Sequence, residues 1–219
     1  MARAPRWDRR LQDLLDYERG LWSRGVYAVA GVDEEGRGPL AGPVVAAAVV
    51  LVPGVCVDGA ADSKRLSPAR RESVFEEILD RAAGIGVGAS SVREIDRLNV
   101  LEATVLAARR ALDRLPDPPE HVVVDGLPMP GLGRPHAAVV HGDALIHSVA
   151  CASIVAKVVR DRIMRRLALR HPGYGWERNA GYGTRGHLDA LRVLGPTPHH
   201  RELIANQQLD LGLLDARAS

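Results

Sequence analysis

The chain has 219 residues, of which 46% are hydrophobic and 26% charged, with a formal net charge of +2. That length supports one ordinary domain with room for a small appendage, and the composition is that of a folded globular chain rather than a disordered or fibrous one. So small a net charge gives no overall field for a polyanion, and leaves local basic clusters as the candidates: Arg65, Arg70 and Arg71, then Arg160, Arg162, Arg165 and Arg166.

In chain order, residues 1–25 read as an N-terminal appendage. Asp8 to Leu21 is expected to form an amphipathic helix with Leu11, Leu14, Leu15 and Tyr17 on one side, pinned to the body by Trp7 and Trp22. Tyr27 to Asp33 reads as a buried strand, Gly36 to Gly42 as a turn, and Pro43 to Val52 as a second strand antiparallel to the first. Ser67-Pro68 has the chemistry of a helix start, a serine cap followed by proline at the first position, and that helix is expected to reach Ala83. Ile85 to Ser90 is β-like. Ser91-Val92-Arg93-Glu94 carries a capping-box pattern and opens a helical stretch to Leu115, broken near Asn99. Pro116 to Pro119 ends it. His121 to Asp125 is a short buried strand that finishes on an acid. After a Gly/Pro-rich loop, Ala137 to Val140 is a short strand with Asp143 just beyond it. His147 to Arg170 reads as a long helix, Tyr174 to Gly183 as a loop, and Thr184 to Leu194 as a last helix before a polar tail at 201–219. Interleaved strands and helices of this kind argue an α/β fold, a mixed central sheet with helices on its faces.

Cys56 and Cys151 lie in Ala/Val-rich contexts and form no disulfide framework, which fits a reducing compartment. The basic N-terminus (Arg3, Arg6, Arg9, Arg10) is not followed by an apolar segment, so no secretory signal is expected. The longest apolar stretch, Pro39 to Pro53, is short for a bilayer and contains prolines. A cytoplasmic location is expected, with a monomer as the default.

The run Gly31-Val32-Asp33-Glu34-Glu35-Gly36-Arg37-Gly38-Pro39 concentrates the chemistry. Asp33 and Asp125 each end a Val-rich segment. If the two strands are parallel neighbours, their carboxylates meet at the end of the sheet where α/β ligands collect. Glu34 leaves the same strand end, and Asp143 supplies a fourth acid. Crowded like charges are costly without a cation. An all-oxygen set without His or Cys suits Mg²⁺ or Mn²⁺, and two such ions roughly 3.5–4 Å apart serve phosphodiester hydrolysis. The glycines on either side of Arg37 let backbone approach a bulky ligand, or form a tight turn.

The motif Gly31-Val32-Asp33-Glu34-x-Gly36-Arg37-Gly38-Pro39-Leu40-Ala41-Gly42-Pro43-Val44 closely resembles the opening motif of the bacterial type 2 ribonucleases H, the ribonuclease HII family. The likeness continues through Asp62-Ser63-Lys64-Arg65-Leu66-Ser67, Val124-Asp125-Gly126, Gly142-Asp143, Ala152 to Asp161 and Gly181-Tyr182-Gly183-Thr184, and covers roughly residues 26–200 in the family's order. The resemblance implies a ribonuclease H-like fold with a C-terminal helical extension over residues 26–200. It implies cleavage of RNA in RNA–DNA hybrids and on the 5′ side of single ribonucleotides in duplex DNA, leaving 3′-hydroxyl and 5′-phosphate ends. It makes Asp33, Glu34, Asp125 and Asp143 the catalytic, metal-binding carboxylates, and Gly36, Arg37 and Gly38 the segment that senses the ribose 2′-OH, the group that separates RNA from DNA. By the same resemblance Tyr182 stacks on the neighbouring deoxyribose, and Ser63 and Lys64 contact phosphates.

Other residues have plainer readings. Lys157 reads as a snorkelling lysine, the arginines of 160–166 as a solvated face, and Asp161 as the partner of a nearby arginine. His199-His200 is not expected to bind metal, since adjacent residues do not share a helix face. Glu35 stands where the family has a small or apolar residue. Arg178-Asn179-Ala180 replaces a common His-Lys, and His199-His200-Arg201-Glu202-Leu203 begins like the family's His-Arg-x-Ser-Phe but lacks the Ser-Phe, which puts substrate grip at that end in question. Gln207-Gln208-Leu209 lacks the aromatic pair of a sliding-clamp peptide, so no clamp binding is expected. The alternatives are a hybrid-binding module without turnover, with Glu35 as the lesion, and a related nuclease or recombinase that also cuts all-DNA duplex. A type 3 relative fits less well, because residues 1–25 are too few for its N-terminal substrate-binding domain.

Overall fold

The computed structural model describes residues 13–60 and 66–202. Trp7, Leu11, Ser63, Lys64 and the 207–209 segment therefore lie outside the described residues. Five strands form one mixed sheet in the order β3-β2-β1-β4-β5. They are β1 (Val29–Glu35), β2 (Val44–Leu51), β3 (Ala82–Ser90), β4 (His121–Asp125) and β5 (Ala137–Val139). β1 is central, antiparallel to β2 and parallel to β4.

Both faces of this sheet are covered, so β2 reads as an unbroken apolar run, VVAAAVVL, and is buried throughout. Side chains still alternate between faces. Ala46, Ala48 and Val50 pack with Ala103, Ala107 and Ala111 of α4 (Val100–Leu112). Ala47, Val49 and Leu51 pack with Val74 and Ile78 of α2 (Pro68–Arg81) and with Ile154 and Val155 of α6 (His147–Arg170). Such burial stabilises by about 1.5–3 kcal/mol for each large aliphatic side chain. Gly31 has a specific reason to be glycine. A Cβ there would overlap the backbone of Ser148 and Val149, so its absence lets α6 lie directly on β1.

Local signals set the helix ends. The Ser67 hydroxyl accepts the Arg70 N–H ahead of Pro68. Ser91 and Glu94 form the full capping box of α3 (Val92–Leu98), and Asn99 breaks the stretch at φ 71° while its Oδ1 caps α4. Some elements differ from expectation, among them a short helix over Gly142–Leu145 where none is expected. β3 starts at Ala82 rather than Ile85, because pairing with Leu51 and Val50 overrides the helix propensity of Ala82 and Ala83. The expected Gly/aromatic loop contains a short helix, α7 (Trp176–Asn179).

At the N-terminus, α1 (Asp16–Trp22) packs on the body through Leu21, which joins Val29, Val123, Ile146 and Val149 in one apolar cluster; Leu14 and Leu15 are buried as well. The remaining helices among the described residues are α5 (Gly142–Leu145) and α8 (Arg185–Leu194). Among the described residues no helix is long and apolar enough to cross a membrane.

Candidate active site

Register brings the first two acids together. Val32 is paired with Val124 in the parallel β1–β4 ladder, so Asp33 and Asp125 are the next residues on adjacent strands. Gly31 and Asp33 share a face by the two-residue period, and Gly31 lies against α6. Ser153 of α6 lines the same cleft beside Asp33 and pulls its pKa down, favouring the charged carboxylate. Asp143 sits in the first turn of α5, whose Gly142 N–H donates to Asp125 Oδ1 at 2.6 Å. All four predicted acids line one cleft of about 380 Å³, together with Lys157 and Tyr182.

Acids outnumber the cations of the cleft lining, Arg71 and Lys157. Burial pushes the Asp33 carboxyl well above its usual range, and the neighbouring Glu34 and Asp125 push it further. Burial also raises Glu34, against the opposing pull of Arg37, whose Nη1 is 3.2 Å from Glu34 Oε1. Glu34 Oε2 is buried with no hydrogen-bond partner among the described residues. A hard divalent cation is the species that relieves this combination of buried oxygens and mutual repulsion. As the side chains lie, no three His, Cys, Asp or Glu residues among those described already form a metal-holding group. Asp125 is turned to the Gly142 N–H and Glu34 to Arg37. The donor chemistry of the four acids thus fits Mg²⁺ or Mn²⁺.

The Gly-Arg-Gly bend rests on two buried arginines. Arg201 donates to Gly36 O (Nη2, 2.6 Å), to Arg37 O (Nη1, 2.9 Å) and to Gly42 O (Nε, 2.9 Å; Nη2, 2.7 Å). Arg160 donates to Pro43 O at 2.9 Å and Ala41 O at 3.2 Å. Both are fully buried. Burial and the nearby Arg160 lower the Arg201 pKa to about 9, which leaves it a cation at neutral pH. Arg160 is thus not part of a solvated face; Arg162 and Arg165 are the residues that look outward, and both pair with Glu72. Gly36 has φ 99°, and a Cβ there would overlap the Arg160 side chain, so glycine is required by the protein's own packing. Gly38 is different: a Cβ there would meet only the Tyr182 ring at 3.7 Å, on the cleft side.

Tyr182 is 41% exposed and presents ring surface beside Gly38. Its hydroxyl donates to Glu35 Oε1 at 3.3 Å, the same oxygen that takes Lys157 Nζ at 3.3 Å. Lys157 also pairs with Asp161 at 3.1 Å, so Asp161 finds a lysine where an arginine was expected. Beneath Tyr182 lies a histidine network whose tautomers follow from its partners. His187 Nδ1 is 2.9 Å from Tyr182 O and must donate. Its Nε2 therefore accepts, from Trp176 Nε1 at 3.0 Å and from His200 Nε2 at 3.1 Å. His200 Nδ1 accepts the Thr197 N–H at 2.9 Å, which leaves the proton on Nε2 as required. Both imidazoles are neutral, and burial lowers their pKa, for His200 to about 4.

Ser153, Arg160 and Arg201 were not singled out as site residues by the sequence. The first two had a signal, since positions 153, 157 and 160 fall on one helix face. Arg201 had none.

Comparison with known proteins follows the same lines. Residues 30–207 match the family model described as Ribonuclease HII. The chain is 56% identical over 186 residues to the Ribonuclease HII of Cereibacter sphaeroides, covering 84% of this chain and 87% of the relative. It is 47% identical over 204 residues to that of Geobacillus kaustophilus, covering 93% and 78%. The crystal structure of the ribonuclease H2 from Pyrococcus horikoshii OT3 superposes with a TM-score of 0.69 at 28% identity, over 83% of this chain and 97% of that one.

Proposed function

Because the chain belongs to the ribonuclease HII family, we propose that this nuclease hydrolyses the RNA strand of RNA–DNA hybrids and cuts on the 5′ side of single ribonucleotides in duplex DNA, leaving a 3′-hydroxyl and a 5′-phosphate. The observation that carries this reading is the pairing of Asp33 and Asp125 at the ends of register-matched parallel strands, in a cleft that Tyr182 also lines.

Asp33, Glu34, Asp125 and Asp143 would hold two Mg²⁺ or Mn²⁺ ions, which supply water activation and neutralise charge on the departing 3′ oxygen. The protein's own groups do the rest. Ser153, beside Asp33 in the cleft, favours the charged form of its carboxyl. The Lys157 ammonium is positioned to meet a backbone phosphate once it leaves Glu35 Oε1. Tyr182 offers a ring on which a sugar or base packs, beside the bend at Gly38. Gly36, Arg37 and Gly38 face the ribose 2′-OH, and Ser63 and Lys64 contact flanking phosphates.

The test is a duplex carrying one ribonucleotide, incubated with Mg²⁺ or Mn²⁺, with an all-DNA duplex as control. The intact protein should cut only the first. Asp33→Asn and Asp125→Asn should abolish cleavage while fluorescence anisotropy still reports hybrid binding. Cleavage retained by either variant would overturn the roles assigned to these acids. Binding without product by the intact protein would favour a module without turnover.

A further inference from the structure

Arg201 reaches the Gly-Arg-Gly bend from the far end of the described chain and takes the carbonyls of Gly36, Arg37 and Gly42 with one guanidinium. Arg160 takes those of Ala41 and Pro43. Five carbonyl groups between 36 and 43 are therefore turned inward onto two buried cations. No cis peptide bond occurs among the described residues. In a trans peptide the C=O of one residue and the N–H of the next point in opposite directions. With the Gly36 and Arg37 carbonyls held by Arg201, the N–H groups of Arg37 and Gly38 face away from it. Gly38 has the Tyr182 ring on its open side, and Tyr182 lines the acid cleft. Fixed N–H donors with a cation behind them make an anion-binding concavity.

We infer that Arg201 is a positioning residue for substrate recognition, whose grip on two carbonyls aims the Arg37 and Gly38 N–H groups at the phosphodiester and sugar of the bound strand. This inference rests on the function proposed above and adds a part to it. A lysine cannot replace the fork, because an ammonium lacks the planar set of donors that reaches three carbonyls at once. A purely structural Arg201 would lower stability and leave recognition unchanged in the folded protein.

The experiment compares the intact protein with Arg201→Lys and Arg201→Met, far below their unfolding temperatures, with folding checked by circular dichroism. Anisotropy in EDTA should show about tenfold weaker binding of a duplex with one ribonucleotide, and a ratio to all-DNA binding that falls toward unity. With Mg²⁺, kcat should fall along with kcat/KM. Glu202→Gln serves as control: it changes the next, exposed residue of the same C-terminal segment without touching these carbonyls, and should keep the ratio. A lower Tm with an unchanged ribonucleotide-to-DNA ratio and unchanged kcat in Arg201→Lys would overturn the inference. If neither Arg201 variant folds, amide NMR of the intact protein decides. The Arg37 and Gly38 resonances must shift when an RNA–DNA hybrid is added in EDTA; unmoved resonances overturn the inference. An intact protein that does not discriminate ribonucleotide duplex from DNA overturns the functional reading itself. Discrimination that survives Arg201→Lys overturns only the part assigned to Arg201.

Discussion

Glu18 Oε1 accepts the backbone N–H of Ser148 at 2.8 Å and so joins α1 to the first turn of α6 across 130 residues of sequence. Glu18 is fully buried. It serves as a cap supplied from another element, satisfying an orphan N–H and placing negative charge at the positive end of a 24-residue helix. That helix carries Ser153, Lys157 and Arg160 into the site. Glu18→Ala should lower stability by about 1–3 kcal/mol, through the lost cap and the unsatisfied N–H. Glu18→Gln, which keeps an acceptor, should lose less. Urea unfolding midpoints compare the two directly.

Gly31→Ala tests the close contact between α6 and β1. The added methyl meets backbone on α6, which has no rotamer to yield. Destabilisation of about 1–3 kcal/mol or more is expected in thermal unfolding. Cleavage should fall as well, since the helix that shifts also brings Ser153 and Lys157 into the acid cleft.

Asp33 trades stability for function. Burial, then Glu34 and Asp125, raise its pKa on folding. An acid raised in this way supports the folded state at low pH, and that support is lost as pH rises through the folded value. Above the ordinary carboxylate range the group is therefore a net cost to the fold. In metal-free buffer Asp33→Asn should stabilise the protein by about 0.5–2 kcal/mol while it abolishes cleavage. Thermal scans in EDTA should show the gap narrowing as pH falls toward the ordinary carboxylate range. A variant less stable than the parent at neutral pH would contradict this account.

The histidine network has the opposite sign. Burial, with His187 nearby, lowers His200 to about 4, and burial lowers His147 to about 4. A base depressed on folding supports the fold above its unfolded pKa of about 6.5, and that support is lost as pH falls from there toward 4. Protonation of His200 would fall on Nδ1, the nitrogen that accepts the Thr197 N–H, and would break that bond. Urea midpoints should decline between about pH 6.5 and 4, and His200→Gln should show a shallower decline over the same window.

Glu35 holds Tyr182 and Lys157 on a single oxygen at the cleft. On the proposed function, an incoming phosphate must displace that carboxylate from Lys157. Glu35→Gln keeps an oxygen acceptor and removes the charge. Hybrid binding should tighten about two- to fivefold at low salt, an interaction of about 1 kcal/mol in water, and the gain should shrink at high salt. Anisotropy titrations at two salt concentrations measure both.

The elements legible in the sequence were those with local causes. Valine runs that end in an acid marked β1 and β4, Ser67-Pro68 and the Ser91–Glu94 box marked helix starts, and Asn99 marked a break, because capping and alternation act within a few residues. The start of β3 was missed because its pairing with β2, 30 residues away, outweighed the helix propensity of Ala82 and Ala83. The buried state of Arg160 was missed for a related reason. Its partners are backbone carbonyls more than 100 residues distant, and any residue type carries a carbonyl.

By itself the sequence determined the donor types: four carboxylates at strand and helix ends, two glycines around an arginine, and a tyrosine in a glycine-rich segment. Those are properties of residue identity and short-range order. Tertiary structure decided which donors meet, because the Val32–Val124 register brings Asp33 beside Asp125. It also decided that one guanidinium, from Arg201, holds the Gly36 and Arg37 peptides. Hydrogen bonding between distant backbone groups depends on where the chain has been brought, and side-chain identity does not encode it.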